Sequence, residues 1–532
     1  MTVRQIADSY WAQLKRSEPY YAARAGEAPE AIEPVDEPAE QARAEAARNL
    51  LAQLDAVPSE DASADADLAA VLRHLLIADA QRADQMWHVH LIAPYQTHWA
   101  FRLIAENVVA PQPARERARL TDGFTERIRS LAGVLRGQRA RGIILPRPAY
   151  AGARATWQGL HTELPALLAS PAVEAATADV LAELDEAEAA AGHQVGVAAQ
   201  PGGEEVYRAW VRRETTLPVE PEQLHRSGLE QCAELTERMA EIRARLGGPR
   251  DESGVRAWLR SQSHLYAKRP EDVAATYRKH LAHIEPSLQS LFRTLPRAHY
   301  DVRRLDPVAE GSMTFGYYQP PAPEEPQGLY RFNGSSLAER SLLTAAALIL
   351  HELVPGHHLH LAGQAENPGL HPVQRHVSAS PMAFAAFSEG WAEYASDLGW
   401  AAGVYDDDWD AYGRLAHERF VTQRLVVDTA LNLGWWDLPQ ARTFMQENTL
   451  DSDVQIASET VRYATDLPAQ ALAYRAGYLG FRQAARSAAG ADLRDIHEAM
   501  LGAGAVPLPH MQQRVGRLTA PGPAGTPGED RT

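Results

Sequence analysis

The stretch LLTAAALILHELVPGHHLHLA, residues 342–362, is the most informative part of the sequence, because it predicts a buried helix that ends in chemically active side chains. Its first half stays apolar for about three helical turns, which is typical of a helix enclosed by other helices. Its second half carries the polar residues His351, Glu352, His357, His358 and His360. Several histidines and a glutamate at the end of a buried helix indicate a metal site.

The chemistry that needs this pattern is zinc-dependent hydrolysis. Two neutral imidazoles hold Zn²⁺, and a glutamate beside the first of them takes a proton from the metal-bound water. His351 and Glu352 fit those two roles, and Zn²⁺ is the predicted cofactor. An alternative is that the histidines only cap and solvate the end of a helix.

The spacing of the histidines departs from the standard H-E-x-x-H motif. That motif places its histidines four residues apart, about 40° around the helix, but here Pro355 occupies the second position. A straight helix would favour His358, seven residues after His351. Because the proline ring clashes with the carbonyl four residues back, we expect the helix to bulge or break. A break would let His357 reach the metal instead, so both histidines are candidates.

A second helix is predicted in PMAFAAFSEGWAEYASDLGW, residues 381–400, and supplies the third ligand. Glu389 and Glu393 are four residues apart and share one helical face. The residues around them are aromatic: Phe384, Phe387, Trp391 and Tyr394. A carboxylate pair is most often solvated surface, but burying one among aromatic rings is costly unless a metal or cation compensates. Glu389, 37 residues after Glu352, is therefore the expected ligand.

Composition narrows the class of partner. Of 532 residues, 45% are apolar and 23% charged, as in ordinary globular proteins. A net charge of −17 argues against nucleic acid or an anionic membrane and favours a small peptide or small-molecule amide substrate. The single cysteine, Cys232, cannot form an intramolecular disulfide. The amphipathic first residues lack the features of a secretory signal, and no apolar run is long enough to span a membrane, so we predict a cytoplasmic protein.

The predicted fold class is mainly α: a large helical zincin-like fold with a cleft and a small β element next to the active-site helix. The β element lies between His299 and Asn333, in the segments YDVRRL, MTFGYYQ and LYRFN. Such a strand either presents its edge to an extended substrate or is a plain structural hairpin. We divide the chain into an N-terminal helical region at 1–200, a catalytic region at 201–519 and a disordered tail at 520–532.

Five motifs, taken in order, resemble a known family. They are HELVPGHH, FSEGWAEYA, RLVVDTALNLGW, VRY and LPAQALAYRAG. They look like the bacterial DUF885 family, helical proteins similar to zinc metallopeptidases of the glutamate-zincin type. The resemblance runs from about Tyr207 to VPLPHMQQRV near 506–515.

The resemblance implies a full set of site residues. Metal ligands would be His351, His357 and Glu389, with Glu352 as the general base. The pair Gly356-His357 is similar to the Gly-His that closes the zinc motif of angiotensin-converting and oligopeptidase families, with two residues inserted. VRY resembles the segment whose tyrosine steadies the transition-state oxyanion, which would be Tyr463 here, with Tyr474 and Arg462 as alternatives. Substrate contacts are expected from Arg462, Gln470 and Asn333.

Two departures from the family pattern bear on specificity. The family usually reads Asp-Thr-Gly-x-His where this chain reads DTALN at 428–432, and Pro-Gly-Gln-Ala where it reads PAQA at 468–471. Asn432 can still form hydrogen bonds but cannot titrate near neutrality.

The expected function is a zinc-dependent hydrolase, a peptidase that cleaves short peptides or small amides with a metal-activated water. The alternatives are a metal-binding protein that keeps the fold without hydrolysing anything, and a tailoring hydrolase of a non-peptide amide or ester. Manganese or cobalt would also suit these ligands. Exopeptidase or endopeptidase action and the oligomeric state are left open.

Overall fold

The computed structural model describes residues 1–58, 65–307, 310, 316–322, 325–380 and 383–519. Helices make up most of this part of the chain, which confirms the mainly α prediction. The predicted disordered tail, 520–532, lies outside the described residues. None of the described helices combines the length and hydropathy needed to span a bilayer.

The α-helices of the first half are α1 Val3–Ser17, α2 Pro19–Arg24, α3 Glu37–Asp55, α4 Ala66–Gln85, α5 Pro94–Thr97, α6 Ala114–Ala140, α7 Tyr150–Leu168, α8 Pro171–Ala190, α9 Gly203–Thr215, α10 Pro221–Arg245, α11 Val255–Arg260, α12 Pro270–Ile284 and α13 Leu288–Leu291. Those of the second half are α14 Ala345–Glu352, α15 His357–Glu366, α16 Ala385–Asp397, α17 Asp408–Asn432, α18 Leu438–Asn448, α19 Asp453–Val461, α20 Leu472–Ser487, α21 Leu493–Leu501 and α22 Leu508–Gly516. Short π-helical turns occur at His98–Arg102, Ala105–Val109, Val373–Val377 and Arg462–Asp466.

The main apolar core joins both ends of the chain around α14. Val3 and Leu72 from the first helices belong to the same buried cluster as Ile349 of α14 and Val515 of α22. A second core is built by α6, α7 and α8 with neighbouring segments. Burial of each large aliphatic side chain stabilises such a core by about 1.5–3 kcal/mol. Apolar packing therefore crosses residue 200, where the sequence suggested a boundary between regions.

A three-stranded sheet lies beside the histidine helices. Its strands are β1 Tyr300–Arg304, β2 Tyr317–Gln319 and β3 Gly328–Phe332, in the spatial order β1-β3-β2. β1 runs parallel and β2 antiparallel to β3. The hydroxyl of Tyr318 on β2 lies 3.0 Å from Nδ1 of His358 on α15. The prediction of a small β element next to this helix is thus confirmed.

The predicted break in the histidine helix is also confirmed, because α14 ends at Glu352 and α15 begins at His357. Trp391 of α16 fixes the break by donating its indole N–H to the carbonyl of Pro355 at 3.1 Å. A Cβ on Gly356 would lie 1.8 Å from the carbonyl oxygen of His351, so this close return of the chain requires glycine. The return brings His357 back toward His351.

Helices α16 and α20 touch through their backbones. A Cβ on Gly390 of α16 would lie 2.4 Å from the Cα of Gly477 on α20. A Cβ on Gly477 would lie 2.0 Å from the carbonyl oxygen of Ala386. This approach, which only two glycines permit, brings Glu389, next to Gly390, near Tyr474, one turn before Gly477.

Candidate metal centre

His351, His357 and Glu389 meet at the junction of α14, α15 and α16. All three are buried, and one ligand atom from each lies within 4.8 Å of the others. Oε2 of Glu389 is 3.4 Å from Nε2 of His351 and 3.3 Å from Nε2 of His357. The two imidazole rings are 4.7 Å apart and nearly perpendicular, at 87°. Both Nε2 atoms therefore converge on one carboxylate oxygen.

The donor set fits a zinc ion. Oε2 of Glu389 is buried and makes no hydrogen bond within the described part of the chain. A buried carboxylate oxygen without a donor is costly, and a cation shared with two imidazoles would satisfy it. Two histidines and one glutamate also match catalytic zinc sites, which keep a fourth position open.

The charge state of His351 couples metal binding to pH. Burial alone would lower the pKa of His351, but Glu389 and Glu393 raise it to about 10. The neighbouring imidazoles outweigh burial at Glu389 and hold the pKa of its carboxyl far below the usual range. In the metal-free protein a proton on His351 therefore balances the carboxylates, and a metal must displace that proton.

His358 is turned away from this group. Its Nε2 lies 3.0 Å from the carbonyl oxygen of Ala298, which can only accept a hydrogen bond. Nε2 therefore carries the proton, and Nδ1 accepts from the hydroxyl of Tyr318. Both ring nitrogens of His358 are thus paired, with Ala298 and Tyr318, and neither is free to bind a metal. Nε2 of His357, by contrast, faces Glu389.

A second layer of charged residues supports His351. Oε1 of Glu393 is 3.0 Å from Nδ1 of His351 and 2.7 Å from Nε2 of His417. Its Oε2 is 3.6 Å from the guanidinium of Arg414, which is fully buried. A carboxylate on the far nitrogen of a ligand histidine fixes the ring and its tautomer. The sequence signal was the four-residue spacing of Glu389 and Glu393, but the partners on α17 were not predicted.

Glu352, the predicted general base, lies next to the candidate ligands but forms no ion pair with them in the described structure. Burial raises the pKa of its carboxyl, partly offset by the nearby His351 and His357. The backbone of Tyr318, on the edge strand β2, also lowers the pKa of Glu352. Glu352 keeps partial solvent exposure, unlike the three ligand candidates.

The two candidate tyrosines occupy different surroundings. The hydroxyl of Tyr463 donates to Glu459 at 2.5 Å and accepts from Arg424 at 3.0 Å. The ring of Tyr474 is parallel to that of His351, with centroids 6.4 Å apart. Burial and the charge of Glu389 raise the pKa of Tyr474, so its phenol keeps its proton. Tyr474 is thus the tyrosine beside the ligands, while the hydroxyl of Tyr463 is engaged elsewhere.

Arg462 and Gln470 lie on the Tyr474 side of the site. Nη1 of Arg462 donates to Oε1 of Gln470 at 3.3 Å. Gln470 lies four residues before Tyr474 and lowers the pKa of its phenol, against the larger and opposite effect of burial. The structure therefore groups two of the three predicted substrate contacts around one tyrosine.

Asn333 is held by its own loop. Its amide donates to the carbonyl of Glu310 at 2.8 Å, and its Oδ1 accepts from the backbone N–H and hydroxyl of Ser335. These contacts shape the turn after β3. The role of Asn333 in substrate binding therefore stays a prediction.

Asn432 and Ala469 have structural surroundings. Asn432 is fully buried and donates to Asp428 and to the carbonyl of Tyr463. Ala469 adopts φ = +69°, a conformation that favours glycine, and its N–H donates to Asp428. The glycine that the family pattern has at this position is explained by that backbone conformation.

Two solved structures share this fold. A candidate lipoprotein of Colwellia psychrerythraea superposes with a TM-score of 0.82 at 20% identity, covering 97% of this chain and 98% of that one. A candidate lipoprotein of unknown function from Shewanella oneidensis gives a TM-score of 0.75 at 18% identity, covering 96% and 99%. At such identities the likeness concerns the fold alone.

Sequence comparison supplies the family. No curated protein matches the chain. The pattern of the family described as "Bacterial protein of unknown function (DUF885)" matches residues 19–515. That span is most of the 532 residues, and it agrees with the order of motifs read from the sequence. The chain therefore belongs to the DUF885 family of bacterial proteins.

Proposed function

We propose that this protein is a zinc-dependent hydrolase, a peptidase acting on short peptides or other small amides. The proposal is supported by the convergence of His351, His357 and Glu389 on one point, with a second carboxylate, that of Glu352, beside it. Two imidazoles, one carboxylate ligand and a neighbouring free carboxylate are the parts that zinc-assisted hydrolysis requires.

When bound, zinc would supply Lewis acidity that makes a water molecule acidic near pH 7. The chain supplies the proton transfers. Glu352 accepts a proton from the attacking water as the new C–O bond forms. It then passes that proton to the nitrogen of the leaving amine as the C–N bond breaks. Its raised pKa suits a group that must both accept and donate a proton.

Tyr474 takes the electrophilic role in this proposal. Its protonated phenol can donate to the oxygen that becomes negative when the water adds to the carbonyl. The parallel placement of its ring against His351 holds the phenol near the metal ligands. Because the hydroxyl of Tyr463 already pairs with Glu459 and Arg424, we assign the oxyanion role to Tyr474 in preference to Tyr463.

The edge strand β2 supports substrate binding. The strand lies beside the candidate ligands, since the Tyr318 ring is 6.4 Å from that of His357. An extended peptide that pairs with this edge would place its carbonyl groups along the site.

The test is hydrolysis by the zinc-loaded protein and its Glu352→Gln variant on a panel of short peptides, followed by detection of new amino groups. We expect the variant to keep one zinc per chain and to lose activity at least 100-fold, since a positioned base contributes about 10²–10⁴. Glu205→Gln, an exposed change on α9, is the control and should keep full activity. Full activity in Glu352→Gln would refute the mechanism.

A further inference from the structure

Two arginines with little solvent exposure, Arg424 and Arg462, lie near Tyr474. Cζ of Arg424 on α17 lies 4.3 Å from the centroid of the Tyr474 ring and 4.5 Å from that of Phe420. Arg462 donates to Oε1 of Gln470, four residues before Tyr474 in the chain. The side chains of Arg424 and Arg462 are only 9% and 13% exposed. Desolvated guanidinium groups of this kind call for a compensating anion.

Among the described residues, Glu459 is the one carboxylate that forms ion pairs with these arginines. Its oxygens lie 3.4 Å from Nη2 of Arg424 and 2.9 Å from Nη2 of Arg462. It also accepts from the Tyr463 hydroxyl. Two positive charges thus share one negative charge, and the cluster is positive in a protein whose net charge is −17.

Arg424 and Arg462 also have N–H groups that donate to no described residue. Each guanidinium carries five N–H groups. Arg424 uses Nε on Tyr463 and Nη2 on Glu459, and its Nη1 donates to no described group. Arg462 uses Nε and Nη2 on Glu459 and Nη1 on Gln470. Glu459 thus fills the Nε–Nη2 fork of Arg462, while Nη1 of Arg424 keeps N–H groups that can form charge-assisted hydrogen bonds with a carboxylate.

Other carboxyl groups around the cluster do not neutralise it. Asp428 is bonded to Tyr207 and to the N–H of Ala469, and Asp466 accepts from the backbone N–H groups of Tyr95 and Gln96. Asp451 and the other two form no ion pair with either arginine. Burial raises the pKa of each, to about 7 for Asp428 and about 6 for Asp451 and Asp466.

We propose that Arg424 and Arg462 bind the terminal α-carboxylate of the substrate, so that the protein removes short units from free C-termini. This inference rests on the proposed hydrolase function and adds the substrate class. The Tyr474 ring lies 4.3 Å from Cζ of Arg424 and 6.4 Å from the His351 ring. An extended residue spans about 3.3–3.6 Å. The carboxylate would therefore bind within a few residues of the carbonyl that is attacked.

The N-terminal region contributes to the same subsite. The Tyr95 ring lies 5.9 Å from Cζ of Arg462, and its side chain is 47% exposed. An exposed aromatic ring beside a carboxylate anchor offers an apolar surface to the last side chain of a peptide.

The experiment compares N-acetylated tripeptides that differ only in ending as a free acid or as an amide. With the zinc-loaded protein we expect kcat/KM for the acid to exceed that for the amide about 100-fold, as charge-assisted hydrogen bonds to one carboxylate allow. In Arg424→Gln and Arg462→Gln this preference should fall at least tenfold. Arg482→Gln, whose guanidinium lies over Tyr478 farther along α20, is the matched control and should keep the preference.

A binding measurement separates this proposal from the hydrolase proposal. Calorimetric titration of the zinc-loaded Glu352→Gln protein with the same peptides should show tighter binding of the acid, and Arg424→Gln should remove the difference. Cleavage of acid and amide at equal rates would overturn the carboxylate subsite while leaving the hydrolase. Preferential acid binding in a protein that cleaves nothing would keep the subsite and overturn the hydrolase. Equal binding without cleavage would overturn both. Circular dichroism of each variant verifies folding.

Discussion

At the scale of single residues, the candidate centre depends on what each polar group already holds. Glu389 has a buried oxygen that accepts no hydrogen bond among the described residues. The polar atoms of His358 and Asn333, by contrast, form hydrogen bonds with neighbouring groups. Groups that are satisfied by the fold are structural, and groups that are buried but unsatisfied need a ligand. His360 is also buried with both ring nitrogens unpaired among the described residues, so it is the convergence on Oε2 of Glu389 that selects His351, His357 and Glu389.

The two tyrosines give a prediction at this scale. Tyr474→Phe should lower kcat on a peptide substrate by about 10²–10³, the usual loss for one oxyanion donor, with little change in zinc content. Tyr463→Phe should lower kcat less, because its hydroxyl serves Glu459 and Arg424. Steady-state kinetics of both variants checks this. A larger loss of kcat in Tyr463→Phe would return the oxyanion role to that residue.

Glu393 gives a second residue-scale prediction. Glu393→Gln keeps the shape of the side chain but removes the charge that faces Nδ1 of His351. We expect the Kd for zinc to rise about 10–100-fold, as for other changes behind a ligand histidine. Competition with a chromophoric chelator measures that Kd. An unchanged Kd in a variant with wild-type Tm would show that Glu393 only balances Arg414.

At the scale of elements, the site is assembled by two unusual backbone features. The interruption between α14 and α15 turns His357 toward His351, and the glycine contact between α16 and α20 brings Tyr474 to the ligands. Ordinary helix packing keeps axes about 8–10 Å apart because side chains intervene. Here Gly390 and Gly477 have no side chains, so α16 and α20 can approach more closely.

The glycine contact can be tested directly. Gly477→Ala places a Cβ 2.0 Å from the carbonyl of Ala386, so the two helices must separate. We expect a loss of about 1–3 kcal/mol in the free energy of unfolding and weaker zinc binding. In the control Gly480→Ala the new Cβ meets the flexible end of Leu508 at 3.2 Å, and stability should change little. Urea unfolding of both variants decides, and equal stability would contradict the close crossing.

At the scale of the whole molecule, buried carboxylates paired with arginines make stability depend on pH. Burial alone would raise the pKa of Glu40, but Arg82 and Arg43 lower it to about 2. Arg462 and Arg424 likewise overcome burial and lower the pKa of Glu459 to about 2. Both folded values lie below the unfolded value of 4.5, so these groups stabilise the fold fully above about pH 4.5. That contribution is lost as the pH falls toward 2.

Glu40→Gln tests this dependence far from the metal. At pH 7 the variant should be less stable than wild type by about 3 kcal/mol at most, the value of a shift from 4.5 to about 2. Near pH 2.5 the difference should be much smaller, because the wild-type carboxyl is then partly protonated. Urea unfolding at both pH values measures the gap. A gap that does not narrow in acid would contradict the assigned pKa.

The sequence predicted what depends on local pattern. The apolar run before His351 predicted a buried helix, Pro355 predicted its break, and three segments rich in β-branched and aromatic residues predicted the small sheet. Local pattern does not specify how α17 and α20 are rotated against α14. The roles of Arg424, Glu459 and Tyr474 depend on that rotation, so neighbouring polar residues such as Tyr463 could not be separated from them in advance.

Zinc content tests most directly whether His357, and not His358, completes the metal centre. It is measured by mass spectrometry on wild type, His357→Asn and His358→Asn, each purified without chelator and verified as folded. The two histidines are adjacent in sequence and differ in what they face. We predict about one zinc per chain in wild type and in His358→Asn, and none in His357→Asn. Zinc lost only from His358→Asn, or absent from wild type, would contradict the assigned metal centre.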